Sequence, residues 1–183
     1  LNSNNIYELN LSNKFIGSKG AIEIAKSLIT NTTLHTLDLS YNRIDTEGCV
    51  EIAKSLITNT TLRTLDLCCN NIGLEGAIEI AKLLQSNCSL HTLKLDSNNI
   101  GTSGTVEIAK SLRTNTTLRK LNLSLNNIGA QTGQGETSDL EAAIEIANLL
   151  KSNNTLYKLD LDENKIGTLG AIYIAKSLET NCA

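Results

Sequence analysis

The chain has no tryptophan and no methionine, a single phenylalanine and two histidines among its 183 residues. It also lacks any apolar run of the roughly 18 residues that a membrane-crossing helix needs, and no charged-then-apolar leader opens it. Aromatics at 3% and a formal net charge of −3 provide neither the stacking rings nor the one-sign field that nucleic-acid binding requires. The five cysteines, Cys49, Cys68, Cys69, Cys88 and Cys182, are odd in number and lack paired spacing, which excludes a disulfide framework and leads us to expect a reducing, cytoplasmic setting. Scarce histidine restricts catalysis as well. A thiol nucleophile needs a base within hydrogen-bond reach, and Cys68 stands five strand positions further along its unit than His35 or His91 do along theirs, about 16 Å at roughly 3.3 Å per residue. Cys69 is no closer, and adjacent cysteines on a strand are expected to face opposite ways. No Cys or His pair has ligand spacing on one helix or loop. No enzyme activity, metal or cofactor is therefore expected.

What the chain does have is one unit, repeated. Leu62-Arg63-Thr64-Leu65-Asp66-Leu67 runs through Asn70, Ile72 and Gly73 to Gly76 and Ala77-Ile78-Glu79-Ile80-Ala81-Lys82. The leading leucine recurs as Leu34, Leu62, Leu90 and Leu118 at 28-residue steps, then as Leu156 after 38, with Ile6 opening a degenerate first copy. The fifth unit thus carries a ten-residue insertion near 130–141. In Leu-Arg-Thr-Leu-Asp-Leu the alternation has the period of a short strand with one buried face. From Gly76 onward, Ala77, Ile80, Ala81 and Leu84 lie on one face, with Glu79, Lys82 and Gln85 on the other, as in an amphipathic helix ending near Asn87.

The period and the leucine pattern resemble a leucine-rich repeat, and the G-A-x-x-I-A-K-S-L second half is similar to its ribonuclease-inhibitor-like class, as found in the sensing regions of NOD-like receptors. Few cysteines, no tryptophan and a single 28-residue unit type set it apart from ribonuclease inhibitor itself. The predicted architecture is an α/β right-handed superhelix of about six repeats forming one domain over 1–183. Strands stack at about 4.8 Å and helices are about 10 Å across, so the strands take the concave wall and the helices the convex one. With a first unit entered almost at once and no polar cap at either end, a fragment of a longer protein, or ends covered by another chain, is expected.

Two asparagine columns are predicted to be structural. Asn42, Asn70, Asn98, Asn126 and Asn164 fall where the chain leaves the strand, and a buried amide there must bond backbone groups. Asn31, Asn59, Asn87, Asn115 and Asn153 each begin an N-x-Ser/Thr triplet that recurs with the unit, which is turn chemistry at the helix-to-strand corner rather than a set of glycan acceptors. The Glu-Ile-Ala-Lys motif of the helices reads as solvated scaffold, with Glu and Lys three apart.

The polar residues between the leucines are the candidate partner-binding set. A first column holds Tyr7, His35, Arg63, His91, Arg119 and Tyr157, planar hydrogen-bonding side chains of the kind that anchor interfaces. Around it lie Glu8, Asp38, Tyr41, Asp66, Lys94 and Asp96, a basic cluster of Arg119, Lys120 and Lys158, and an acidic corner of Asp160, Asp162 and Glu163. Asp38 and Asp66 sit side by side, but an open wall gives no desolvation to split their pKa values for catalysis, and Asp66 has a cationic neighbour in Lys94. In the insertion, Ala130 to Thr137 reads as a loop, and Ser138 with Glu141 as a capping box that starts a helix at Asp139. Gly129, Gly133 and Gly135 lack the Lys-Ser/Thr of a phosphate loop.

The resemblance implies recognition of a folded protein of unknown identity on the concave face. Two alternatives follow from the same repeats: regulation of a small GTPase, in the manner of GTPase-activating proteins, and self-association through uncapped end repeats.

Overall fold

A computed structural model describes residues 6–129 and 136–179. The elements alternate: β1 (Glu8–Asn10), α1 (Gly17–Thr30), β2 (Thr36–Asp38), α2 (Thr46–Leu56), β3 (Thr64–Asp66), α3 (Gly73–Ser86), β4 (Thr92–Lys94), α4 (Gly101–Leu112), β5 (Lys120–Asn122), α5 (Glu136–Ser152), β6 (Lys158–Asp160) and α6 (Gly167–Leu178). The six strands form one open parallel sheet in chain order. Each is paired in repeat register, so Leu37 lies opposite Leu65 and Leu65 opposite Leu93. The predicted α/β solenoid of leucine-rich repeats is the observed fold.

The core is a single layer between sheet and helices. Leu37, Leu39, Leu65, Leu67, Leu93 and Leu95 from the sheet side meet Ile52, Leu56, Ile80, Leu84, Ile108 and Leu112 from the helices, all at most 2% exposed. Each such side chain contributes about 1.5–3 kcal/mol on leaving water. The helices lie close together because the unit places a glycine against an alanine. A Cβ on Gly104 would stand 2.6 Å from Ile100 Cγ2 and 2.9 Å from Ala77 Cβ in the preceding helix, too near for any larger residue.

Both asparagine columns act as predicted. Asn126 Oδ1 accepts from the backbone N–H groups of Asn98 and Ile100 one repeat back, while its Nδ2 donates to the carbonyls of Leu95 and Ser124. Asn42, Asn70 and Asn164 bond in the same way. The ladder breaks at one rung: Asn98 Oδ1 is buried with no hydrogen-bond partner among the described residues. The corner asparagines accept from the N–H groups two and three residues on, as Asn59 does from Thr61 and Leu62, and their Nδ2 atoms donate across to the preceding repeat, as Asn59 does to Leu28 and Asn31. Asn59, Asn87, Asn115 and Asn153 are buried and their amides are committed, which leaves no nitrogen for a glycan.

On the convex side the predicted pairs form: Lys26 with Glu23, Lys54 with Glu51, Lys82 with Glu79 and Lys110 with Glu107, at 2.6–3.1 Å. At such exposure each contributes little to stability.

Two boundaries differ from expectation. The helix of the fifth unit starts at Glu136, so Ser138 lies inside α5 and is not its N-cap, while 130–135 fall outside the described residues. The α2 helix opens on Asp45 in place of the glycine that starts α1, α3, α4 and α6. Its carboxylate accepts from the N–H groups of Glu47 and Gly48 and from the Ser18 hydroxyl. Chiefly through that hydroxyl, its pKa lies below the ordinary 3.8.

Asp45→Ala is therefore expected to cost about 1 kcal/mol of unfolding free energy at pH 7, as loss of an N-cap does. Because folding lowers this pKa, the contribution is complete above the unfolded-state value and is lost as pH falls through the folded-state value. The difference between Asp45→Ala and wild type, followed by urea denaturation, should close on acidification below about pH 4.

Candidate functional site

The strand wall displays its polar columns because each central leucine points inward and the residues flanking it point out. The first column stands just before each strand. Its backbone carbonyls accept two N–H groups from the next repeat, as His35 O does from Arg63 and Thr64, so every rung is tied to its neighbours while its side chain projects. Tyr7, Arg63, Arg119 and Tyr157 are exposed, and His35 and His91 half-buried. Neither Arg63 nor Arg119 has an ion-pair partner among the described residues. The Nδ1 atoms of His35 and His91 lie 2.6 and 2.5 Å from the carbonyls of Thr33 and Ser89, which places the proton on Nδ1 and leaves Nε2 as an acceptor. Tyr7 and His35 rings meet at 5.5 Å, and the Lys120 ammonium sits 5.7 Å from the Tyr157 ring centroid. This column combines large planar groups, limited side-chain freedom and unneutralised positive charge.

The carboxylates behave differently. Asp38 Oδ1 accepts from the Ser40 N–H and hydroxyl, Asp66 Oδ1 from the Cys68 N–H, and Asp160 Oδ1 from the Asp162 N–H and the Ser124 hydroxyl. Asn10 and Asn122 make the same bond to the residue two further on. This column therefore caps the turn that leaves the strand, which a period-two pattern does not reveal. Asp66, expected on the display surface, is 8% exposed, and its Oδ2 accepts from Lys94 Nζ at 2.7 Å. That bond raises the Lys94 pKa. Asp38 and Asp66 do lie opposite each other, but both are held by the fold.

Lys120 pairs opposite Lys158 with Arg119 beside it, so the basic cluster is assembled as expected. Asp162 and Glu163 are exposed at the same end, whereas Lys158 Nζ and Asp160 Oδ2 are 4.0 Å apart. Glu8 and Lys94 are exposed, and Asp96 is half-buried with Oδ1 accepting from Asn122 Nδ2.

The cysteines require a correction. Because β3 ends at Asp66, Cys68 and Cys69 belong to the turn, where Cys69 has φ 53°. The left-handed residue swings its side chain to the side of its neighbour, and the two Sγ atoms lie 3.1 Å apart rather than facing opposite ways. Cys68 Sγ also lies 2.7 Å from Asp96 Oδ2 on the next rung. Partial burial and these negative neighbours push the Cys68 thiol well above its usual range. Tyr41, exposed beside them, is pushed up to about 12 by its hydrogen bond with Cys69 and by the charge of Cys69, Cys68 and Asp96. Spacing along one segment could not reveal this cluster, because its third member comes from another repeat.

A comparison with curated protein sequences gives no match. Solved structures that share the fold include the following two. Leiomodin-1 actin-binding site 2 superposes with a TM-score of 0.58 at 22% identity, over 98% of this chain and 83% of that one. The tropomodulin C-terminal domain of Caenorhabditis elegans gives 0.57 at 12% identity, over 98% and 86%. A leucine-rich repeat family model matches residues 152–175, and the model of the TMOD/LMOD leucine-rich domain matches residues 1–134, the first four repeats and the strand part of the fifth. By that match the chain belongs to the TMOD/LMOD leucine-rich domain family.

Proposed function

We propose that this chain is a non-catalytic recognition module that binds a folded protein along its strand wall, and that actin is that partner. The observation that carries the reading is the first column: Arg63 and Arg119 unpaired, His35 and His91 held by backbone carbonyls, and tyrosines at both ends, on one rigid face. Aromatic and arginine side chains of this kind carry most of the energy in protein interfaces, and prior fixation lowers the entropy lost on binding. Family membership and the name of the leiomodin-1 neighbour point to actin within the class of protein partners.

The test is direct binding of the purified chain. Monomeric actin is titrated by fluorescence anisotropy, and filaments are titrated by co-sedimentation. Saturable binding to either form supports the proposal. No binding to either up to about 100 μM, equivalent to less than about 5.5 kcal/mol of affinity, removes actin as the partner.

A further inference from the structure

We propose that Cys68, Cys69 and Asp96 form a binding site for one Zn(II) ion on the strand wall, at the junction of the third and fourth repeats. The three ligand atoms lie within 4.8 Å of one another. The two closest separations are 3.1 Å between the sulfurs and 2.7 Å from Cys68 Sγ to Asp96 Oδ2. Zinc binds thiolate at about 2.3 Å and carboxylate at about 2.0–2.2 Å, so ligands around one tetrahedral ion stand roughly 3.4–3.8 Å apart. Both separations fall short of that range, and side-chain rotations that open them bring all three atoms onto one ion.

Local chemistry favours a cation. Two thiols and a carboxylate converge, and the nearest lysine, Lys94, is bonded to Asp66 instead. Apart from the Asn122 amide on Asp96 Oδ1 and the Tyr41 hydroxyl on Cys69, the cluster is held by contacts among groups that repel once ionised. On binding, the two thiol protons pass to the buffer and Zn–S bonds replace the S–H bonds; no electrons move. Two sulfur ligands select zinc over magnesium or calcium, which take oxygen. Three protein ligands leave the fourth position for water on this half-exposed surface. Paired cysteines occur in one repeat: the equivalent positions elsewhere are Ser12-Asn13, Ser40-Tyr41, Asp96-Ser97, Ser124-Leu125 and Asp162-Glu163. The cysteines' rung is also the one at which the amide ladder breaks, since Asn98 Oδ1 would otherwise receive the N–H of Asn70, the residue after Cys69.

The test needs no protein partner and stands or falls independently of actin binding. Wild type and a Cys88→Ser/Cys182→Ser variant, which keeps Cys68, Cys69 and the buried Cys49, are reduced and freed of metal. They are then titrated with Zn(II) against a chromophoric chelator, and with Co(II) as a spectroscopic probe. The expected result is one equivalent bound by both proteins, with a thiolate-to-cobalt charge-transfer band and the visible bands of tetrahedral Co(II). In the Cys88→Ser/Cys182→Ser background, adding Cys68→Ser or Cys69→Ser should weaken binding by more than about 100-fold, beyond what loss of an outer-shell partner costs. Asp96→Asn should weaken it by about 10-fold or more while retaining the sulfur-to-cobalt band. Circular dichroism checks that each variant is folded. No zinc uptake by the reduced wild type, uptake that is unchanged in a folded Cys68→Ser/Cys69→Ser variant, or uptake that disappears with Cys88 and Cys182 would each overturn the proposal.

Discussion

Asn126→Ala is expected to lower the unfolding free energy by about 3–5 kcal/mol, a large part of the stability of an ordinary domain. The side chain is fully buried and bonds four backbone groups in two repeats. Alanine leaves the N–H groups of Asn98 and Ile100 and the carbonyls of Leu95 and Ser124 without those bonds. Each buried polar group left unsatisfied costs about 1–3 kcal/mol, and partial relaxation keeps the total below their sum. Asn127, the next residue, is exposed, and its side chain bonds the exposed Asn99 side chain; its backbone is left-handed at φ 59°, so Asn127→Ala should cost about 1 kcal/mol, from the backbone and not from lost buried bonds. Urea unfolding of the two variants checks the contrast. A repeat array also makes the loss local: amide exchange should accelerate first in the repeats around Asn126, because each unit is held only by its neighbours.

That outcome would rest on a feature already legible in the sequence. A polar amide recurring among leucines at a fixed place in each unit has to be satisfied internally, and the fold satisfies it. Repeat register, the inward leucines, the helical face of Ala77, Ile80, Ala81 and Leu84, and the corner triplets were readable for the same reason: each is periodic and each answers a local requirement. What was not readable depends on contacts between repeats or on where a strand stops. Asp38 and Asp66 were readable as residues of the wall, but not as turn caps, because alternation says which side a residue faces and not which N–H it accepts. Cys68 and Cys69 look opposed until β3 is seen to end at Asp66 and the backbone at Cys69 turns left-handed. The start of α5 at Glu136 depends on the path of the insertion, for which the capping-box pattern was a poor guide. The place of the chain in the TMOD/LMOD family likewise came from comparison, since period and leucine pattern are shared by several classes of this repeat.

The second large effect concerns binding. Replacing His35, Arg63, His91 and Arg119 together by alanine should leave the fold and its stability nearly unchanged, because these side chains project from rungs that are held by backbone bonds. Affinity for the partner should fall by at least about 100-fold, or about 2.7 kcal/mol. A convex variant that also loses positive charge, with Lys26, Lys54, Lys82 and Lys110 replaced by alanine, removes four exposed ion pairs worth little each. It should bind like wild type. Equal losses in the two variants would indicate a general charge effect and not a recognition face.

Where the partner sits can be read without any substitution, by hydroxyl-radical footprinting of the chain free and with actin bound. The strand-wall assignment requires protection of His35, Tyr41, His91 and Tyr157, with unchanged labelling of the exposed helix residues Ile29, Ile172 and Tyr173. Protection of those helix residues while the histidines and tyrosines of the wall stay as reactive as in the free chain would contradict it.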